Sequence, residues 1–442
     1  MHIQLSDYFN FNKLLRFSLP SIIMMVFTSL YNIVDGFFVS NFVGKTPFAA
    51  VNLIMPVIMI LSSVGFMFGT GGGALVSKTM GEGCYEKAQR LFSLFVYCTA
   101  IIGVIIAVIT FLFIRSIAIS LGAEGMLLEN CVTYGRILLV SLPLFMLQYE
   151  FQSFFITAEK PQLGLVITLI CGFTNMILDA LFIAVFSWGL VGAAAATAIS
   201  QILGGIIPII YFSRSNSSLL RLTKTNIDGN ALFKACTNGS SELMSNISTS
   251  IVSMLYNVQL MKYAGENGIA AYGVLMYINM IFLGVFIGYS TGTAPIVSYH
   301  YGAQNHRELK GLLKKSLIII GIFAVAMFMI AELLAKPLAG IFVSYDKGLM
   351  AITIRAFQIY SFSFLFSSVA VYGSSFFTAL NDGLTSALIS FLRTILFQIG
   401  AVLILPSFLG IDGIWLSVVV AEAAAAVMTI LFIIAKKTKY HY

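Results

Sequence analysis

Gly71-Gly72-Gly73-Ala74-Leu75-Val76-Ser77, with Gly81 four residues on, decides how this chain is read, because its landmarks return 221 positions later. Gly71 falls on Gly292, Ser77 on Ser298 and Gly81 on Gly302. At the same offset Gly189 falls on Gly410, Gly192 on Gly413 and Gln201 on Glu422. Leu30-Tyr31-Asn32 recurs as Leu255-Tyr256-Asn257 after a four-residue length difference in the first loop, and Ser153-Phe154-Phe155 recurs as Ser375-Phe376-Phe377. One such match is chance. A string of them at a near-constant offset is an internal repeat, the way many secondary transporters are built around a shared central cavity.

Outside this stretch the composition points the same way. Of 442 residues 59% are hydrophobic and only 10% charged, with a mean hydropathy of +0.95. A soluble domain carries about 25% charged residues, so most of this surface faces lipid. Twelve apolar stretches reach the ~20 residues that span a bilayer: 14–38, 49–77, 90–114, 132–156, 163–186, 190–212, 236–261, 269–299, 312–335, 355–379, 384–405 and 412–435. In lipid such runs are helices, which satisfy their own backbone groups. The first is too long for a cleaved signal peptide and contains Asp35. The expectation is an all-α membrane protein of twelve helices in two pseudo-symmetric six-helix bundles. The lobes are 1–213 and 235–442, joined by a polar linker, 214–234. Six helices per repeat give both halves the same orientation, related by an axis along the membrane normal.

The net charge of +7 does not indicate nucleic acid. With both termini inside, seventeen Lys and Arg lie in cytoplasmic segments, among them Lys78, Arg221 and Lys436; seven lie on the other side, and Arg393 lies within a span. That is the positive-inside bias and predicts cytoplasmic termini. The five cysteines form no CxxC pair, and the four histidines are too dispersed for a metal site. Gly69-Thr70-Gly71-Gly72-Gly73 lacks the GK[ST] ending of a phosphate loop; small residues there let helices approach closely. With no ATPase motif, an ion gradient must drive any transport.

Acidic residues inside spans are costly and by default functional. Five occur: Asp35, Glu150, Asp179, Glu242 and Glu422. Asn175 and Asp179 are four apart and share a helix face. Carboxyls held from water take a proton, or with amide and hydroxyl oxygens form a hard site for a small cation; Thr197 offers such a hydroxyl. The competing reading of Asp35 and Asp179 is interhelical bonding alone. Glu242 is either a substrate or second ion site or the exposed start of the seventh helix. Tyr31 and Asn32, beside Asp35, join the possible substrate site. Glu150 reads as structural, and Arg393 either snorkels or pairs with an acid. The 38 Phe, 19 Tyr and 19 Met are enough to line a cavity for flat lipophilic cations.

These residues resemble the MATE family, the multidrug and toxic compound extrusion transporters, and most closely its bacterial MepA-like branch. The resemblance covers essentially the whole chain: Asp35-Gly36, the 71–77 run before Gly81, Asn175 with Asp179, and Gly189-Leu190-Val191-Gly192 leading to Thr197. It implies a V-shaped pair of bundles in the bacterial inner membrane that exports organic cationic compounds in exchange for inward Na⁺ or H⁺, as a monomer and without cofactor. An amino-terminal cation site carries over to Asp35, Asn175, Asp179 and Thr197, and Glu242 matches an acidic position of the other lobe. A second carboxylate in the tenth helix has no counterpart here, which favours the amino-terminal site. The rival readings are a lipid-linked saccharide flippase of the same superfamily, an integral-membrane enzyme and a channel. A flippase lines its cavity with several basic residues, where this chain has only Arg393 inside a span; an enzyme needs a metal or nucleophile cluster.

Overall fold

The computed structural model describes residues 3–343 and 346–442, with helices almost throughout and no strand among the described residues. Helix α1 spans Phe11–Val43, α2 Thr46–Gly81, α3 Tyr85–Ser120, α4 Gly125–Thr157, α5 Pro161–Val185 and α6 Gly189–Ser213. A 74-residue helical stretch, Gly229–Gly302, follows. Gly265 breaks it at φ +62° and ψ −150°, a conformation essentially reserved for glycine, so 229–264 is α7 and 266–302 is α8. Helix α9 is His306–Val343. Helix α10 is a bent span, Lys347–Tyr360 and Ser363–Ala379 meeting at 50°. Gly383–Leu409 forms α11 and Ile411–Tyr440 forms α12. With the long stretch counted as two crossings and the bent pair as one, twelve spans result. An even number puts both termini on one face, called here the terminal face.

The sequence repeat now has a physical cause. Gly189 and Gly410 both carry positive φ, +59° and +60°, at the entry to the last helix of each half. Glu159 and Asn381, beyond the repeated Ser-Phe-Phe, also share positive φ, 60° and 58°. The repeated glycines of the second helix in each half, Gly71 and Gly292, Gly81 and Gly302, lie where the halves touch. A Cβ on Gly71 would overlap the backbone of Gly239 in α7, while one on Gly292 would press on Ser18 in α1. A Cβ on Gly81 would meet the Tyr299 carbonyl, and one on Gly302 the Lys78 carbonyl. These contacts exchange under a two-fold rotation, so the same glycine is required twice. Without Cβ atoms the backbones come close, the usual basis of tight helix packing in membranes.

Helices α1 and α2 therefore cross α8 and α7 near the terminal face. Interlobe hydrogen bonds run from Phe9 N–H donating to Glu308 Oε1 (2.9 Å) to Ser29 Oγ donating to the Met280 carbonyl (3.1 Å), and none lies beyond among the described residues. The segment before α1 straps this face: Leu5 N–H donates to Glu159 Oε1 in the first lobe (2.6 Å), and Lys315 of the second donates to the Phe9 carbonyl. Leu5 and Phe9 are fully buried.

Residues 214–228 are free of helix. They are pinned to α3, where Thr223 N–H donates to Ser93 Oγ (2.9 Å) and Thr225 Oγ1 to the Arg90 carbonyl (3.0 Å). Residues 229–234, expected in the linker, open α7 instead, because Asp228 caps it by accepting from Ala231 N–H (3.0 Å). Glu242 consequently lies well inside α7, not at an exposed helix start.

Asp382 ties the end of α12 to the α10–α11 turn, accepting from Tyr440 Oη (2.7 Å) and pairing with Lys436 Nζ (3.2 Å). Burial pushes its carboxyl up, but Tyr440, Thr385 and Lys436 outweigh that and hold it below the usual carboxylate range. A depressed folded value stabilises above the unfolded value of about 4 and is lost as pH falls through the lower folded one. Asp382→Asn should therefore lower the melting temperature of the purified protein at pH 7, and the gap to the parent should close towards pH 3.

Candidate functional site

Two polar assemblies interrupt the apolar interior. The first lies within the amino-terminal lobe. Asp35 of α1 and Asp179 of α5 are buried neighbours. Two carboxylates this close need a proton or a cation between them. Asn175, one turn before Asp179, donates Nδ2–H to Thr197 Oγ1 of α6 (3.5 Å). No donor among the described residues reaches Asp179, Asp35 Oδ1 or Asn175 Oδ1, all shielded from solvent. Buried acceptors without donors are costly; a bound proton or small cation would satisfy them. The fold thus brings together Asp35, Asn175, Asp179 and Thr197 from three helices.

Tyr31, one turn before Asp35, feels its charge and packs on Phe27 with ring centroids 6.1 Å apart. Asn32 shares that helix face but makes no side-chain hydrogen bond to a described residue. Tyr134 of α4, which sequence reasoning missed, is buried and close enough to feel both carboxyls. Nothing in its local sequence marks it. Glu150 is buried beside Thr99 and joins neither assembly.

The second assembly is a cavity between the lobes, partly open to solvent. Thr70 of α2, Ser153 of α4, Glu242 of α7, Ser290 of α8, Ser374 of α10 and Arg393 of α11 contribute to its wall. Arg393 Nε–H donates to both oxygens of Glu422 on α12, at 3.0 and 2.8 Å, in a largely buried ion pair. Glu422 occupies the repeat position of Gln201, which accepts from Ser141 Oγ (2.7 Å) in the other lobe. Glu242 therefore belongs with Arg393, not with the carboxyl pair.

Four turns of π-helix occur among the described residues, and each adjoins an assembly. Val39–Val43 follows Asp35, Ala180–Val185 begins directly after Asp179, Phe68–Gly72 walls the cavity, and Leu392–Phe397 carries Arg393. Such turns loosen the backbone ladder and recur at functional sites. No group of three or more His, Cys, Asp or Glu able to hold a metal occurs among the described residues.

The MatE family model matches residues 20–181 and 243–403, so each match falls within one half of the repeat. Two similar proteins are both named multidrug export protein MepA. The one from Staphylococcus aureus (strain N315) is 25% identical over 427 residues, covering 96% of this chain and 93% of the relative. That from Staphylococcus haemolyticus (strain JCSC1435) is 26% identical over 429 residues, with the same coverage. A crystal structure of MATE in complex with MaL6 superimposes with a TM-score of 0.93 at 23% identity, covering 98% of both chains.

Proposed function

Because the chain belongs to the MatE family, we propose that it is a multidrug exporter of the membrane, a secondary transporter and not an enzyme, which moves lipophilic organic cations outward in exchange for inward H⁺ or Na⁺. Whole-length similarity to proteins named for multidrug export supports the export class. The observation that carries the coupling is the buried Asp35–Asp179 pair, with Asn175 and Thr197 beside it and no donor to satisfy it. On this reading an ion bridging the two carboxyls holds α1 to α5. Its departure leaves two like charges in contact, which repel and release α1. The π-helical turns that follow Asp35 by one turn and Asp179 directly supply the slack for that movement. Substrate occupies the interlobe cavity, where Glu242 offers a cation its counter-charge. The ion drives transport only through different affinities in the two states. With the excess of Lys and Arg on the terminal face, that face is cytoplasmic, and the monomer is the working unit.

The test is efflux of a fluorescent lipophilic cation from proteoliposomes, under a pH gradient and a Na⁺ gradient imposed separately. Transport driven by one gradient alone is expected and identifies the coupling ion. Indifference to both, in folded protein, would sink the antiport reading.

A further inference from the structure

Glu150 is a carboxyl that the coupling reading leaves unused. It is fully buried on α4, and neither of its oxygens has a hydrogen-bond partner among the described residues. Thr99 Oγ1 of α3, close by, is also unpartnered. The elements packed around Glu150 supply no counter-charge. Helix α2 presents glycines to α4, and its one charged residue, Lys78, pairs with Glu82 at the helix end (3.8 Å). Helix α3 contributes the Cys98 thiol, which is coupled in turn to Cys236 of α7. The one titratable side chain of α6, Tyr211, packs on Phe155 with ring centroids 5.7 Å apart. An ionised carboxylate so placed is uncompensated, so Glu150 holds a proton in this conformation.

That proton has a way out. Ser153 and Thr157 follow Glu150 by three and seven positions on one face of α4, and both line the interlobe cavity. Each is at least nine-tenths buried and carries a hydroxyl with no partner among the described residues. The surface they face is a glycine groove. A Cβ on Gly69 would lie 3.0 Å from Glu150 Cα and 3.1 Å from Ser153 Oγ, and one on Gly73 would lie 3.3 Å from Thr157 Oγ1. The π-helical turn Phe68–Gly72 runs through this groove, so the backbone of α2 is already loosened beside the carboxyl.

We propose that Glu150 is a proton-binding site separate from the Asp35–Asp179 pair, which releases its proton past Ser153 and Thr157 to water of the interlobe cavity when an organic cation enters. In that step the carboxyl O–H breaks, its electron pair stays on the oxygen and the proton passes to cavity water. The charge of the entering cation stabilises the carboxylate left behind. The release step rests on the export reading above; the proton site itself does not.

Two measurements on the full-length protein in nanodiscs keep these apart. Infrared pH-difference spectra of D35N/D179N should show a protonated-carboxyl band at neutral pH that shrinks when E150Q is added. An undiminished band overturns the site. Binding of tetramethylrhodamine methyl ester, a plain cation, is then followed with a pH indicator in weakly buffered solution, counting protons released per dye bound. E150Q should release about one proton fewer per dye than the parent, by the reciprocity of linked binding. D35N/D179N, with Glu150 intact, should still release protons. A merely structural Glu150 would change dye affinity or melting temperature in E150Q but not the count per bound dye. Equal counts in parent and E150Q, or no release from D35N/D179N, overturns the release step. A parent that binds no dye overturns the export reading, and the infrared band still decides the proton site.

Discussion

Asp35→Asn and Asp179→Asn are each expected to cut gradient-driven export by ~30-fold, the scale of a typical coupling free energy, while drug affinity at the interlobe cavity stays within ~3-fold. Asparagine keeps the shape and one carbonyl acceptor but can neither take a proton nor neutralise a cation. The carboxyls of Asp35 and Asp179 are buried neighbours in the amino-terminal lobe, while the cavity takes Glu242 and Arg393 from the other. A change at the pair should therefore uncouple ion from drug without removing the drug's contacts. Thr197→Val removes a single hydroxyl ligand and should cost less than either aspartate. Gradient-driven uptake in proteoliposomes and equilibrium dye binding, measured on the same preparations, separate the two effects. Transport at the parental rate in either aspartate variant would sink the coupling role of the pair. A matched loss of dye binding would instead place the carboxyls in the drug site.

Helix number and pseudo-symmetry were legible because they rest on residue types that lipid and close packing enforce. An apolar run of twenty residues has one solution in a bilayer, and Gly189 and Gly410 recur because both turns need positive φ. The four-residue spacing of Asn175 and Asp179 placed them on one face. Their convergence with Asp35 and Thr197 came from the family resemblance, since no local pattern links residues 35, 179 and 197. What stayed hidden depends on long-range geometry. Tyr134 lies near the carboxyl pair on a helix whose nearby sequence is ordinary. The alternatives for Arg393 were decided only by Glu422, 29 residues on. The continuation of α7 through to Gly265 could not be seen, since Gly265 is one of 37 glycines and only its φ of +62° marks the break. The terminal strap is a contact of a short polar lead with Glu159 and Glu308, for which hydropathy has no signal.

The second large effect is expected at the glycine seam. Gly239→Ala adds a methyl that must enter the Met67 backbone of α2, and Gly71→Ala one that must enter the Ala235 and Gly239 backbone of α7. Backbone cannot swing aside as a side chain does, so the lobes have to part at the terminal face. Overpacking of this kind costs ~1–3 kcal/mol, enough to move a two-state equilibrium by ~5- to 150-fold. The strap opposes that parting, since Leu5 and Phe9 are bonded to Glu159 and Glu308 on opposite lobes. Adding Glu308→Ala, which removes the acceptor of the Phe9 N–H, should therefore widen the opening further. Spin labels at exposed E86C and K310C, with exposed Cys84 replaced, would report a second, longer distance in each glycine variant. Export should slow in proportion, because the state closed at this face becomes rare. Gly273→Ala is the control: its Cβ meets nothing within 4 Å, so distance and rate should match the parent. Unchanged distances in both seam variants would show that the contact of α2 with α7 yields without separating the lobes. The repeat of Gly71 at Gly292 would then owe nothing to closing this face.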